Sequence, residues 1–251
     1  MTLCASRMKI YRIGIPALLL LMQVAVTSAQ GQNQITRCGT FILQPGEYVL
    51  ANDLTNCPGD GIIIGGNARD VMLNLAGHQI TGSSGAQRAG IKIQSGAHAR
   101  IVGPGIISNY TAGFGVSLIS GTVEVTAVTC TGNNIGFFLH GGTAMVRGNV
   151  ATNNVDGFYM VATGELRDNL ASGNSQDGIF TGIRERAQFL HNTAAFNGRY
   201  GIGAERDSSN KDIVSNTALN NARYDLFDGN RNCQNRWIDN TFGTSEGPCI
   251  H

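Results

Sequence analysis

Three aromatic residues, Phe138, Tyr159 and Phe180, each stand two places after a glycine that opens the same short phrase: Gly136-Phe-Phe-Leu139, Gly157-Phe-Tyr-Met160 and Gly178-Ile-Phe-Thr181. Around them lie groups that can move protons or carry charge. Asp156 and Asp177 precede the second and third glycines, and His140 follows the first by four places. Arg184, Arg199 and Glu205 fall further along, and Lys92 holds the aromatic position after Gly90. A phenol, an imidazole and a guanidinium can serve as base, acid and neutralising cation, which is what removing a proton beside a carboxylate requires. The catalytic candidates are therefore Tyr159, His140, Asp156, Asp177 and Arg184. The substrate-binding candidates are Lys92, Phe138, Phe180, Arg199 and Glu205. In this reading the Asp pair polarises His140 or holds Ca²⁺.

A plainer account stands beside each of these. An Asp before Gly is commonly a turn residue, and surface Arg and Glu are commonly solvated. The asparagines and the remaining histidines (His78, His98, His191) read as corner or edge residues. No His-x-His and no clustered Cys/His spacing marks a metal centre. Serine triads, phosphate loops and dinucleotide fingerprints are equally absent.

The elements that must position the candidates come from a repeat. The glycines opening each phrase are Gly61, Gly90, Gly115, Gly136, Gly157, Gly178 and Gly201, with Asp225 in the next place; the middle steps are 21 residues. A period in the twenties with short apolar-alternating pieces is a solenoid coil. Three strands per coil are predicted. The first carries inward pairs such as Phe137/Leu139 and Phe158/Met160, the second includes pieces such as Met145–Arg147, and the third pieces such as Leu170–Ser172. Asn149, Asn169, Asn192, Asn216 and Asn240 recur at one corner, and Asn154, Asn174, Asn197 and Asn221 at the next. Their expected role is to adopt left-handed corners and to bond up and down the stack. Successive outward aromatics then form a ribbon at a spacing of about 4.8 Å.

Residues 1–29 read as an export signal: Arg7, Lys9 and Arg12, then an apolar core, then Thr27-Ser28-Ala29. Residues 30–251 read as one domain, with an opening cap at 30–60, coils at 61–230 and a closing cap at 231–251. Export permits disulfides, and the two short loops closed by Cys38 with Cys57 and by Cys233 with Cys249 are the natural pairs. Cys130 is left as a buried, inert thiol. The net charge is +1, and no basic or acidic block points to nucleic acid. No later segment is apolar enough to span a bilayer.

Repeats of this length, with Asp-Gly opening strands and Asn at corners, resemble the right-handed parallel β-helix proteins of the pectate-lyase-like superfamily. The run from Cys38-Gly-Thr through Pro45-Gly-Glu-Tyr-Val-Leu-Ala-Asn-Asp-Leu54 is similar to the opening segment of a subset without assigned chemistry, and Asn235-Arg-Trp-Ile-Asp-Asn-Thr-Phe-Gly243 to its closing cap. The resemblance covers residues 36–251 and implies an all-β, single right-handed parallel β-helix of about eight coils with disulfide-capped ends. It says little about chemistry, because such a fold hosts many activities. The epimerase-type Asp-Pro-His and the hydrolase-type paired Asp-Asp and Gly-His-Gly are missing. A copper-delivery role, as in some periplasmic β-helix proteins, lacks a Met/His cluster. The expectation is a secreted or periplasmic protein acting as a lyase or epimerase on uronic-acid-containing polysaccharide. Two alternatives are a non-catalytic carbohydrate-binding or envelope-structural protein, and a small-molecule cyclase or isomerase holding an apolar ligand on the ribbon.

Overall fold

The computed structural model describes residues 32–66, 68–83, 88–182 and 185–251. The export signal and Arg184 lie outside the described residues. The chain from Gln32 onward winds into a parallel β-solenoid of about nine turns, with no helix among the described residues. Every strand pairing is parallel, and each strand pairs with its counterpart one coil away. The turn count exceeds the eight read from glycines. The segment before Gly61 already supplies first-face residues, with Thr40–Ile42 in register with Ile62–Ile64.

Each coil has three faces. The first face carries the glycine phrases, and its inward residues Ile62, Ile91, Val116, Phe137, Phe158, Ile179 and Ile202 are buried in one column. Inside that column the Phe137 and Phe158 rings stack at 4.6 Å. The third-face strands Val150–Thr152, Leu170–Ser172, Thr193–Ala195 and Thr217–Leu219 fall where the repeat places them. In two middle coils the first and second faces are continuous strands, Ile135–Arg147 and Asp156–Arg167, instead of separate pieces. The corner between them is taken by Gly141 and Gly142, at φ 66° and 69°, in one coil and by Ala162 in the next, where Gly164, at φ 132°, follows on the second face opposite Ala144. These positive φ values are ones that glycine adopts without steric cost.

Two columns of buried asparagine tie the coils together. In the first, the Asn149 backbone N–H and Nδ2 both donate to Asn169 Oδ1, and the pattern repeats through Asn192, Asn216 and Asn240. Each Nδ2 also donates to a carbonyl on the other side, as Asn192 Nδ2 does to Leu166 O. The second column begins one coil earlier than expected, at Asn133. It runs through Asn154, Asn174, Asn197 and Asn221 and ends on the Asp225 carboxylate. One expectation is corrected here: the ladder asparagines do not themselves adopt the left-handed corner. That conformation falls on the residue before each, among them Gly148, Asp168, His191, Ser215 and Asp239. The Asn amide is thereby turned inward, where both of its ends are used.

Cys38–Cys57 and Cys233–Cys249 are disulfides near the two ends, with Cα–Cα separations of 5.5 and 5.3 Å. Closing loops of this size contributes about 3 kcal/mol each by chain entropy. Cys130 is fully buried, and burial pushes its thiol well above the usual range.

Candidate functional site

The strand register aligns Lys92, Ser117, Phe138, Tyr159, Phe180, Gly203 and Phe227 in one outward row on the first face. The aromatic ladder is longer than the three rings read from the phrases. One ring per coil runs through six successive coils: Phe114, Phe138, Tyr159, Phe180, Tyr200 and Phe227. Phe114 and Tyr200 stand three places before small residues, Ser117 and Gly203, and lean across them to fill the row. A Cβ on Gly203 would come within 2.8 Å of the Phe180 ring and 3.1 Å of the Tyr200 ring. An aromatic three places before a small residue in the row was the available signal.

Neighbouring rings lie within 2° to 25° of parallel, with centroids 4.3 to 6.5 Å apart. Mid-ladder rings therefore spend their faces on each other and turn edges and hydroxyls outward. His140 joins this arrangement, its ring 5.8 Å from Phe138 and inclined by 9°. Arg199 lies over Phe180 and Tyr200, at 5.4 and 5.0 Å from the ring centroids.

The candidates divide into two groups. Tyr159 and Glu205 come together, with Asp156 three residues before Tyr159 on the same strand. Tyr159 Oη and Glu205 Oε2 lie 3.4 and 2.9 Å from where a Cβ on Gly182 would stand, so both oxygens reach into the notch that the bare glycine leaves. Burial, then the charges of Glu205 and Asp156, raise the Tyr159 phenol above its ordinary range. The phenol thus holds its proton, as an acid or a hydrogen-bond donor does. Burial, with the charge of Asp177, also raises Asp156.

Asp177 and Arg199 form the second group. Asp177 is fully buried; its carboxylate accepts from Arg199 Nε at 2.7 Å and from Arg199 Nη2, and takes the Tyr200 N–H at 3.2 Å. The Asp177 N–H donates to Asp156 Oδ1 at 3.0 Å. A carboxylate consumed in this way is not open to a cation, and Ca²⁺ requires six or more oxygens. The Asp pair therefore does not fit a Ca²⁺ ion. Nor does it polarise His140. Asp156 pairs with Ile135, five residues along the strand from His140, about 16 Å at about 3.3 Å per residue. Lys92 sits three coils before Tyr159 in the row and pairs with Asp60 at 3.8 Å.

The family described as Periplasmic copper-binding protein (NosD) matches residues 31–247. No curated protein matches the chain. Among solved structures, the A-module of the Azotobacter vinelandii mannuronan C-5 epimerase AlgE4 is 16% identical, with 81% of this chain and 68% of that one covered and a TM-score of 0.41. The AlgE6 A-module is 13% identical, with 88% and 71% covered and a TM-score of 0.40. The described residues do not fit a copper centre. They contain no group of three His, Cys, Asp or Glu side chains that could hold a metal. Met160 is buried, and Met72 and Met145 lie three coils apart on the second face, about 14 Å at about 4.8 Å per coil. No described helix is long and apolar enough to cross a membrane.

Proposed function

This chain belongs to the periplasmic NosD family of β-helix proteins, and from that premise we propose that it acts on a uronic-acid-containing polysaccharide at the notch over Gly182. The observation that carries this reading is the convergence of the Tyr159 hydroxyl and the Glu205 carboxylate over the bare, buried Gly182 beside an ordered ladder of rings. Glu205 is exposed and takes the C5 proton of the uronate. In elimination, the electron pair left at C5 forms the C4–C5 double bond, the C4–O bond breaks, and Tyr159 gives its proton to the departing oxygen. In epimerisation, Tyr159 instead returns a proton to the opposite face of C5, and no bond in the chain is cut. Arg199 spends Nε and Nη2 on Asp177, five residues along the chain from Gly182, and so stands toward the other edge of the ladder from the notch.

The test is turnover by the exported chain on a panel of polyuronates, with ultraviolet absorbance reporting unsaturated ends and proton NMR reporting C5 inversion. Glu205→Gln and Tyr159→Phe are each expected to lower the rate by about 10²-fold or more. A panel without turnover removes the catalytic reading. The non-catalytic reading then stands on the ladder itself, a rigid strip of ring edges and hydroxyls, and retardation on polyuronate gels without turnover is its signature. For a small apolar ligand the same strip offers edges and few free faces.

A further inference from the structure

The last ring of the ladder differs from those in the middle. Phe227 stacks on Tyr200 at 4.3 Å and 2°, and no further ring follows it in the row; its register partner on the next coil is Glu246. Phe227 instead lines an open cavity of about 370 Å³ together with Arg206, Arg231, Gly229 and Gly247. Both arginines are exposed, and among the described residues neither has an ion-pair partner.

Of the two carboxylates in the cavity, Asp228 is buried and engaged, and Glu246 is exposed. Asp228 accepts from Asn230 N at 2.9 Å, Asn235 Nδ2 at 3.2 Å and Trp237 Nε1 at 2.7 Å. Glu246 accepts a hydrogen bond from the Tyr224 phenol, which that bond and the Glu246 charge raise. The cavity therefore presents two guanidinium groups against the one exposed carboxylate of Glu246, beside one aromatic ring. A guanidinium matches a carboxylate through two parallel hydrogen bonds, and a ring beside it suits the apolar side of a sugar.

We infer that this cavity is a subsite for a carboxylated sugar residue of a glycan laid along the ladder. The inference rests on the uronate reading above and adds the length and charge of the substrate to it. Phe180, Gly203 and Phe227 follow one another in register and Gly182 lies on the coil of Phe180, so the ring of the cavity lies two coils from the notch, about 10 Å at about 4.8 Å per coil. A monosaccharide in the notch does not reach it. An oligomer of several residues spans both.

The test is calorimetric titration of the exported chain with a uronate hexasaccharide and with the same hexasaccharide after its carboxyls are reduced to alcohols. The wild type is expected to bind the first and not the second. Arg206→Ala with Arg231→Ala is expected to weaken that binding at least tenfold, with partial recovery in the double Lys variant and an unchanged circular dichroism spectrum. Undiminished binding by the double Ala variant overturns the subsite, as does equal binding of the reduced sugar. Absence of any wild-type binding overturns it too, and Glu205-dependent turnover of polymer in the same preparation then shows that the notch reading survives without it.

Discussion

Tyr159 and Glu205 come from coils two apart yet converge above Gly182, the phenol oxygen 3.4 Å and the carboxylate oxygen 2.9 Å from the position of an added Cβ. Gly182 does not have a positive φ, so alanine fits its backbone. The clash falls on the far end of a flexible Glu side chain. Gly182→Ala is expected to push Glu205 aside and lower polyuronate turnover by tenfold or more. Stability in urea should change by less than about 1 kcal/mol. A fully active Gly182→Ala protein would show that the notch is not where the chemistry occurs.

The same pair predicts a titration. Burial, Glu205 and Asp156 all disfavour the Tyr159 phenolate. In a difference spectrum of wild type minus Tyr159→Phe, phenolate absorbance should rise above the ordinary tyrosine range. Glu205→Gln should move that rise to lower pH without returning it fully, because burial remains the largest cause. A midpoint unmoved by Glu205→Gln would separate the two residues electrostatically.

Asn192 sits at the middle of the first amide column. It accepts two hydrogen bonds from Asn169 at 3.1 and 3.0 Å and donates to Leu166 O and Asn216 Oδ1. Asn192→Ala strands buried partners on both neighbouring coils, at about 1–3 kcal/mol for each group left unsatisfied. Urea unfolding should register a loss of about 3 kcal/mol or more. The exposed Asn232→Ala serves as the comparison and should cost less than about 0.5 kcal/mol. Equal losses would mean that the column adds little to stability.

Asp225 ends the second column. Burial raises its carboxyl, but the bonds from Asn221, Gly243 and Thr244 outweigh this and hold it below its ordinary value of 3.8. A carboxyl depressed in the folded state contributes stability that is present above its unfolded pKa and lost as pH falls through the folded one. Unfolding free energy should therefore drop as pH is lowered from about 5 toward 2. Asp225→Asn should flatten part of that slope and lower stability at pH 7, since an amide nitrogen would face the Gly243 and Thr244 donors. An unchanged slope would assign the acid sensitivity to other carboxylates, such as Glu165 and Asp212, both also held low.

The coil repeat was legible because it is written in backbone requirements: a glycine where a Cβ would strike the next coil, and an asparagine where both amide ends are used. Gly157, whose Cβ would meet Gly178 O at 2.5 Å, is such a position. The aromatic row was legible through Phe180 and then broke at Gly203. Continuing it required knowing that Tyr200, three places earlier, crosses over that glycine, a packing choice that the alternation of a single strand does not reveal. The Asp156–Asp177 pairing was read from position alone, and position does not reveal that Arg199, 22 residues later, closes on Asp177. The notch was hidden for the same reason, since it exists by the absence of a side chain at Gly182.

The second asparagine column has a direction. Every side-chain oxygen from Asn154 to Asn221 accepts from the earlier coil, and from Asn133 on each Nδ2 donates both to the next member of the column and to a carbonyl of the earlier coil, so the amide C=O dipoles add along the solenoid axis. Their summed positive end arrives at Asp225, which stands to this column as an anion stands to the N-terminus of a helix. The closing cap, whose Gly243 and Thr244 N–H groups hold Asp225, therefore fixes the electrostatic terminus of a polar rod as well as covering the core. A chain ending before Asp225 would leave that rod's positive pole facing water, with the damage entering at the last coil and passing toward the first.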